Sequence, residues 1–217
     1  MGYFYKMYRS DVFVYSDDVQ FSKRNFQNYN FIKTPDGRKQ RITLPITYHA
    51  DPINKIEIAA TEKDIENLIR TIYFCYHKSP FYKLIWGGIE AILTAEHESL
   101  ADMNICLTEH MAASFGITTK RYLSSELGIQ KHKDERIVEI CEIFGADTYF
   151  SGTGAVEYHN PELYAEHGIK LVYTDYSPIT YPQGKAPFIP CLSSLDYVMS
   201  CGYNIPEEWK SKRTVIV

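Results

Sequence analysis

The first apolar run, Val12-Phe13-Val14-Tyr15, is short, β-branched and aromatic, and it gives way to Ser16-Asp17-Asp18. That pattern predicts a buried strand delivering two carboxylates at its end. Segment 19–33 follows no clean period, Pro35-Asp36-Gly37 marks a turn, and 41–46 (RITLPI) and 55–59 (KIEIA) read as further strands. From Thr61 the period becomes helical: Asp64 follows three residues on, and Ile65, Leu68, Ile69, Ile72 and Tyr73 share one face. Pro80 interrupts this run, and two more helical runs, about 81–93 and 99–115, lead to Gly116 as a helix stop. Residues 61–116 thus read as a continuous helical block, a layer or insertion within the fold.

Beyond it the two periods alternate. Residues 118–122 (TTKRY) predict a short strand, and 133–144 (KDERIVEICEIF) an amphipathic helix, with Ile137, Ile140, Cys141 and Phe144 on one face and Gly145 as its stop. A strand at 147–151, a helix near 161–167 stopped by Gly168, and a strand at 169–173 follow. This succession argues for βαβ units and a mainly parallel sheet, so the expected fold is a single α/β domain over 1–217. A Pro-rich loop at 178–190 and a helix near 193–201 stopped by Gly202 complete the chain.

Composition narrows the function classes. With 45% hydrophobic and 23% charged residues among 217, the chain is an ordinary globular sequence, not a disordered one. A net charge of −4 supplies no general positive field, which disfavours nucleic acid as a partner. The 18 Tyr stand out: each offers an apolar face and a polar tip, suited to a core rim or to a pocket that stacks on a sugar or base. The five cysteines, at 75, 106, 141, 191 and 201, show no CxxC pair and no His at zinc-finger spacing, so neither a disulfide framework nor structural zinc is expected. No stretch reaches about 18 apolar residues and the first residues lack an apolar signal core, so no membrane insertion is expected and the chain reads as cytoplasmic.

Several residues could carry chemistry. Asp17 and Asp18 could hold Mg2+ with nucleotide phosphates or serve as acid and base, a solvated strand end being the alternative. Ser151-Gly152-Thr153-Gly154, after a strand, could present backbone N–H groups to a phosphate, or be a glycine-permitted turn. Lys23 and Arg24 open the most basic window, 23–41, which reads as a solvated face or a diphosphate contact. Ser124, Ser125 and Glu126 could bind hydroxyls or cap the next helix. Glu126 joins Asp17 and Asp18 as a candidate catalytic carboxylate. Tyr176, Tyr181 and Gln183 lie in a proline-bordered loop that could present them to a sugar ring. The seven His fall in no HxH, HExxH or Cys/His motif.

Taken in order, DVFVYSDDVQFSKRNFQNYNFIKTPDG, ITLPI, LGIQKHKDERIVEICEIFGADTYFSG, YSPITYPQ and FIPCLSSLDYVMSCG resemble the WbqC-like family of surface-polysaccharide and O-antigen gene clusters. The resemblance spans roughly 2–46 and 117–202. It implies an enzyme or accessory protein acting on activated sugars. In that family a strand and an HQPxYxPW-like segment precede the residues matching Gly2-Tyr3-Phe4. A chain without them is expected to expose a sheet edge that invites homo-oligomer formation. The family's aromatic-Gln-Asn-Arg-Asn-Arg run appears here as Phe26 to Phe31, with Tyr29 and Phe31 replacing the arginines and Asn28 retained as a candidate substrate ligand.

The leading expectation is therefore an enzyme modifying a nucleotide-linked sugar by acyl or aminoacyl transfer to a sugar amine. Two alternatives stand beside it: a non-catalytic sugar-nucleotide binding or scaffold subunit, and a nucleotidyltransferase-like enzyme.

Overall fold

A computed structural model describes residues 1–211 apart from Arg24, His49, Ala50, Asp175, Lys185 and Ala186. The fold is α/β, and its residues group into two compact units. One comprises Met1, Asp17–Ile117 and Pro178–Ile205; the other comprises Gly2–Ser16, Thr118–Ser177 and the segment from Pro206. Among the described residues no helix is long and apolar enough to cross a membrane.

The second unit contains the parallel strands. Helix α1 (Gly2–Arg9) opens it, followed by β1 (Val12–Tyr15), which pairs in parallel with a strand at Lys120–Leu123. A helix at Lys133–Phe144 then leads through a three-residue link into Thr148–Ser151, which pairs in parallel with Lys170–Tyr173 across the short helix Pro161–Glu166. The sequence period does not predict α1. Its Phe4, Tyr5 and Met7 are buried, with Tyr5 packed edge-on against Trp209, so tertiary contacts hold a segment whose own pattern is too aromatic to read. Thr119 closes its carboxyl end by donating to the Met7 carbonyl at 2.7 Å.

In the first unit β2 (Tyr29–Lys33) and β3 (Lys39–Thr43) form an antiparallel hairpin, and α2 (Glu62–Tyr76), α3 (Tyr82–Thr94) and α4 (Leu100–Ser114) follow as the expected helical block. Thr61 and Asp64 close a reciprocal capping box on α2, and the Ser99 hydroxyl accepts the Asp102 N–H at the start of α4. In chain order the remaining elements are β4 (Lys120–Leu123), α5 (Lys133–Phe144), β5 (Thr148–Ser151), α6 (Pro161–Glu166), β6 (Lys170–Tyr173), α7 (Ser194–Cys201) and α8 (Glu207–Ser211).

Two strand expectations need correction. Segment 41–46 keeps strand geometry only to Thr43: the Leu44 N–H still bonds the Asn28 carbonyl opposite it, at 2.8 Å, but Pro45 has no N–H with which to carry the ladder on. Segment 55–59 is not a strand: Ile53–Lys55 is a 3-10 turn, and a single bridge joins Ile46 to Ile58. Strand β2 lies in the segment without a clean period, where a lysine, Lys33, occupies a buried strand position and masks the alternation. Its ammonium donates to the carbonyls of Gln183 at 3.1 Å and Pro187 at 2.9 Å, which makes its burial tolerable.

Candidate active site

The carboxyl end of β5 is built from the strand's alternation. Tyr149 and Ser151 point to one face while Phe150 points to the other, toward Tyr5. Gly145, at φ +60, ends α5 in the left-handed conformation that glycine adopts without strain, and the chain turns straight back into β5. A helix joined to a strand by so short a link runs back along it, so the first turn of α5 lies beside the end of β5. Asp134 occupies that first turn, where an anion is favoured by the helix dipole.

The loop after β5 adds the third group. Ser151 Oγ lies 2.9 Å from His159 Nε2, and His159 Nδ1 lies 2.7 Å from Asp134 Oδ1. A carboxylate only accepts, so Nδ1 carries the proton and donates to Asp134, and Nε2 is left to accept from the Ser151 hydroxyl. The Asn160 backbone N–H donates to the second Asp134 oxygen at 2.6 Å, and the Tyr164 hydroxyl donates to the first at 3.0 Å. Burial alone would raise the Asp134 pKa, but these hydrogen bonds and the His159 ring outweigh it and hold the carboxyl below its ordinary value. Tyr149 and Tyr164 stack with centroids 5.7 Å apart and both meet the His159 ring edge-on, which fixes the imidazole plane. Tyr164 is fully buried in a core with Val138, Cys141 and Ile169, so the relay stands on packed side chains.

A serine whose hydroxyl faces a correctly protonated imidazole, itself held by a carboxylate, is the arrangement for nucleophilic acyl chemistry. Ser151 is 2% exposed. Beside it, side-chain positions projecting from Gly152 and Gly154 would meet nothing within 4 Å, so the turn offers room next to the nucleophile.

The match to known proteins covers nearly the whole chain: the model of the WbqC-like protein family aligns with residues 1–208. The chain belongs to the WbqC-like protein family. A relative in Mycobacterium tuberculosis, carrying the name uncharacterized protein Rv1507c, is 29% identical over 211 residues, covering 95% of this chain and 90% of its own length. No solved structure gave a significant match.

The residues expected at the site of this WbqC-like chain fall in both units. Ser124, Ser125, Glu126, Ser151, Gly152 and Tyr176 lie in the second; Asp17, Asp18, Lys23, Asn28, Tyr181 and Gln183 lie in the first; Arg24 lies outside the described residues. Of the described ones, only Ser151 belongs to the hydrogen-bonded relay, with Gly152 next to it in the chain. Ser124 is buried and Ser125 and Glu126 are exposed in a 3-10 turn after β4, while Tyr176 packs on Tyr5 with centroids 5.5 Å apart.

In the first unit Asp17 is buried, with the Asn54 amide 3.4 Å from its carboxylate, and Asp18 is half-buried. The exposed Lys23 ammonium sits 3.5 Å above the Tyr48 ring, and the Asn28 amide donates to the Leu44 carbonyl. Tyr181 donates to the buried Asp196, and the Gln183 amide closes its own loop onto Ile189. Inspection of the sequence missed His159, Asp134 and Tyr164. The available signal was a serine ending a strand before glycine, with a histidine eight residues on, in a polar loop ahead of a proline-led helix.

Proposed function

We propose that this protein transfers an acyl or aminoacyl group to the amine of a nucleotide-linked sugar in the cytoplasmic stages of surface-glycan or O-antigen biosynthesis. The observation that carries the reading is the Ser151–His159–Asp134 relay with its Nδ1-protonated imidazole. In the reaction His159 Nε2 takes the Ser151 proton as Oγ bonds to the carbonyl carbon of an activated donor of the thioester class. Collapse of the tetrahedral species expels the thiolate, which leaves with that proton, and an acyl ester remains on Ser151. The sugar amine then attacks this ester, His159 accepts the ammonium proton and returns it to Oγ, and the amide product departs. Asp134 holds the imidazole in the required tautomer and stabilises its transient positive charge.

The test is direct. Incubation of the protein with an amino-sugar nucleotide and an acyl thioester is expected to yield the amide by mass spectrometry. Without acceptor, the acyl mass is expected on the Ser151 peptide. Ser151→Ala is expected to abolish both while keeping the fold.

A second reading is favoured by the burial of Ser151 and by the occupancy of both Asp134 oxygens. The same bonds would pin loop 152–160 to α5 in a non-catalytic sugar-nucleotide binding or scaffold subunit. A melting temperature that drops in Ser151→Ala, with nucleotide-sugar binding but no product from any donor in the wild type, would favour that reading.

A further inference from the structure

The turn between α3 and α4 gathers a histidine, a carboxylate and a thiol that the relay does not use. Helix α3 ends at Thr94, the link returns the chain, and His97 lies over the first turns of α4, where Asp102 and Cys106 stand four residues apart on one face. His97 Nδ1 is 3.1 Å from Asp102 Oδ2, Cys106 Sγ is 3.7 Å from Asp102 Oδ1, and one ligand atom from each residue falls within 4.8 Å of the others. The His97 side chain is 5% exposed, whereas that of Asp102 is 42% exposed, which opens the group to solvent on one side.

The donor and acceptor roles are decisive. His97 Nε2 lies 2.8 Å from the Ile92 carbonyl oxygen, which only accepts, so the Nε2 proton is committed there. Nδ1 therefore turns its lone pair on a carboxylate oxygen. Two acceptors in contact repel unless Nδ1 takes a second proton or both atoms share a cation. A carbonyl that fixes one ring nitrogen and aims the other is also the usual outer support of a metal-bound histidine. We propose that His97, Asp102 and Cys106 form a binding site for one zinc-class divalent cation.

Imidazole nitrogen, thiolate sulfur and carboxylate oxygen together match zinc better than magnesium or calcium, which take oxygen ligands. Ligand atoms at about 2.0–2.3 Å from one zinc ion stand roughly 3.3–3.6 Å apart, and here His97 and Cys106 lie 3.1 Å and 3.7 Å from the two Asp102 oxygens, with one ligand atom of each residue within 4.8 Å of the others. Burial, followed by the Asp102 carboxylate, raises the Cys106 pKa, so the metal-free thiol keeps its proton and cation binding would release it. Three protein ligands leave the fourth position to water, and the ion would fasten the α3–α4 corner.

Titration of the purified protein with Co2+, read by thiolate-to-metal charge-transfer absorption, and with Zn2+, read by competition and by melting temperature, tests the site. One equivalent is expected to bind, with an absorption band and a rise in melting temperature that Cys106→Ser and His97→Gln both remove. Loss of an outer support already costs about 10–100-fold in affinity, so loss of a ligand is expected to cost more than roughly 100-fold. Circular dichroism of both metal-free variants checks the fold, and Cys191→Ser, an exposed thiol elsewhere, is expected to bind like the wild type. No band and no thermal response in the wild type overturns the proposal and leaves His97 and Asp102 an ion pair. Unchanged binding in folded Cys106→Ser or His97→Gln overturns it as well.

Discussion

His159 Nδ1 and Asp134 Oδ1, 2.7 Å apart, tie the loop after β5 to the first turn of the preceding helix, and this one bond decides which imidazole nitrogen faces Ser151. Asp134→Asn replaces an acceptor by an amide that can donate to Nδ1, moving the ring proton to Nε2 and away from its role as base. The expected result is a fall in acyl-transfer kcat of roughly 10²–10⁴-fold with nucleotide-sugar affinity little changed. Steady-state kinetics beside calorimetry separates the two. Equal losses in binding and turnover would instead point to collapse of loop 152–160.

Acid should weaken the same clasp. The Asp134 pKa is depressed in the folded protein, so the group's stabilisation is present above the unfolded value, near the 3.8 of an ordinary aspartate, and is lost as pH falls through the lower folded value. Melting temperatures of wild type and Asp134→Ala are therefore expected to differ at neutral pH and to converge in strong acid. A gap that stays constant across that range would show that Asp134 contributes only packing.

Asp196 works in the opposite direction. It is buried between the hydroxyls of Tyr76 at 2.7 Å and Tyr181 at 2.8 Å, and desolvation raises its pKa although both tyrosines and Lys33 oppose the rise. Its charged form is the penalised one, so its contribution falls as pH rises from the unfolded value through the raised one. Asp196→Ala would leave the two buried tyrosine hydroxyls without their acceptor and take a compensating charge away from the buried Lys33 ammonium, and a loss of about 2–4 kcal/mol in urea unfolding is expected. Tyr181→Phe separates a structural from a sugar-presenting role. If its hydroxyl only serves Asp196, stability falls and ligand affinity does not.

Where local physics decides the structure, the sequence is legible. The 133–144 helix with its glycine stop and the Thr61–Asp64 capping box need only neighbours along the chain, and both stand where the pattern puts them. Helix α1 was hidden because its apolar positions are aromatic rings packed on residues far away in sequence, and strand β2 because a lysine occupies one of its buried positions. The relay was hidden for a related reason. Asp134, Ser151 and His159 share no spacing that marks a motif, and only the reversal at Gly145 brings the first turn of α5 to the end of β5. His97, Asp102 and Cys106 were passed over because their spacing matches no zinc-finger pattern, although a helix turn and a tight link suffice to gather them.

Lys23 offers the last test, of the basic window rather than the relay. Its ammonium lies 3.5 Å above the half-exposed Tyr48 ring, a contact between two solvent-facing groups that adds little to stability but restricts where the charge sits. A charge held this way is prepared to meet a phosphate without first ordering a long side chain. Lys23→Ala is expected to leave the melting temperature nearly unchanged and to weaken binding of a nucleotide-diphosphate sugar by about 10-fold or more, as for loss of a hydrogen bond to a charged group. The wild-type affinity should fall with added salt, and that salt dependence should be shallower in the variant, since one ionic contact is gone. Tyr48→Leu keeps the ammonium but frees it, so a smaller loss is expected there. Calorimetry at two salt concentrations measures all three proteins, and an affinity for Lys23→Ala equal to the wild type at both would take this residue out of the phosphate contact.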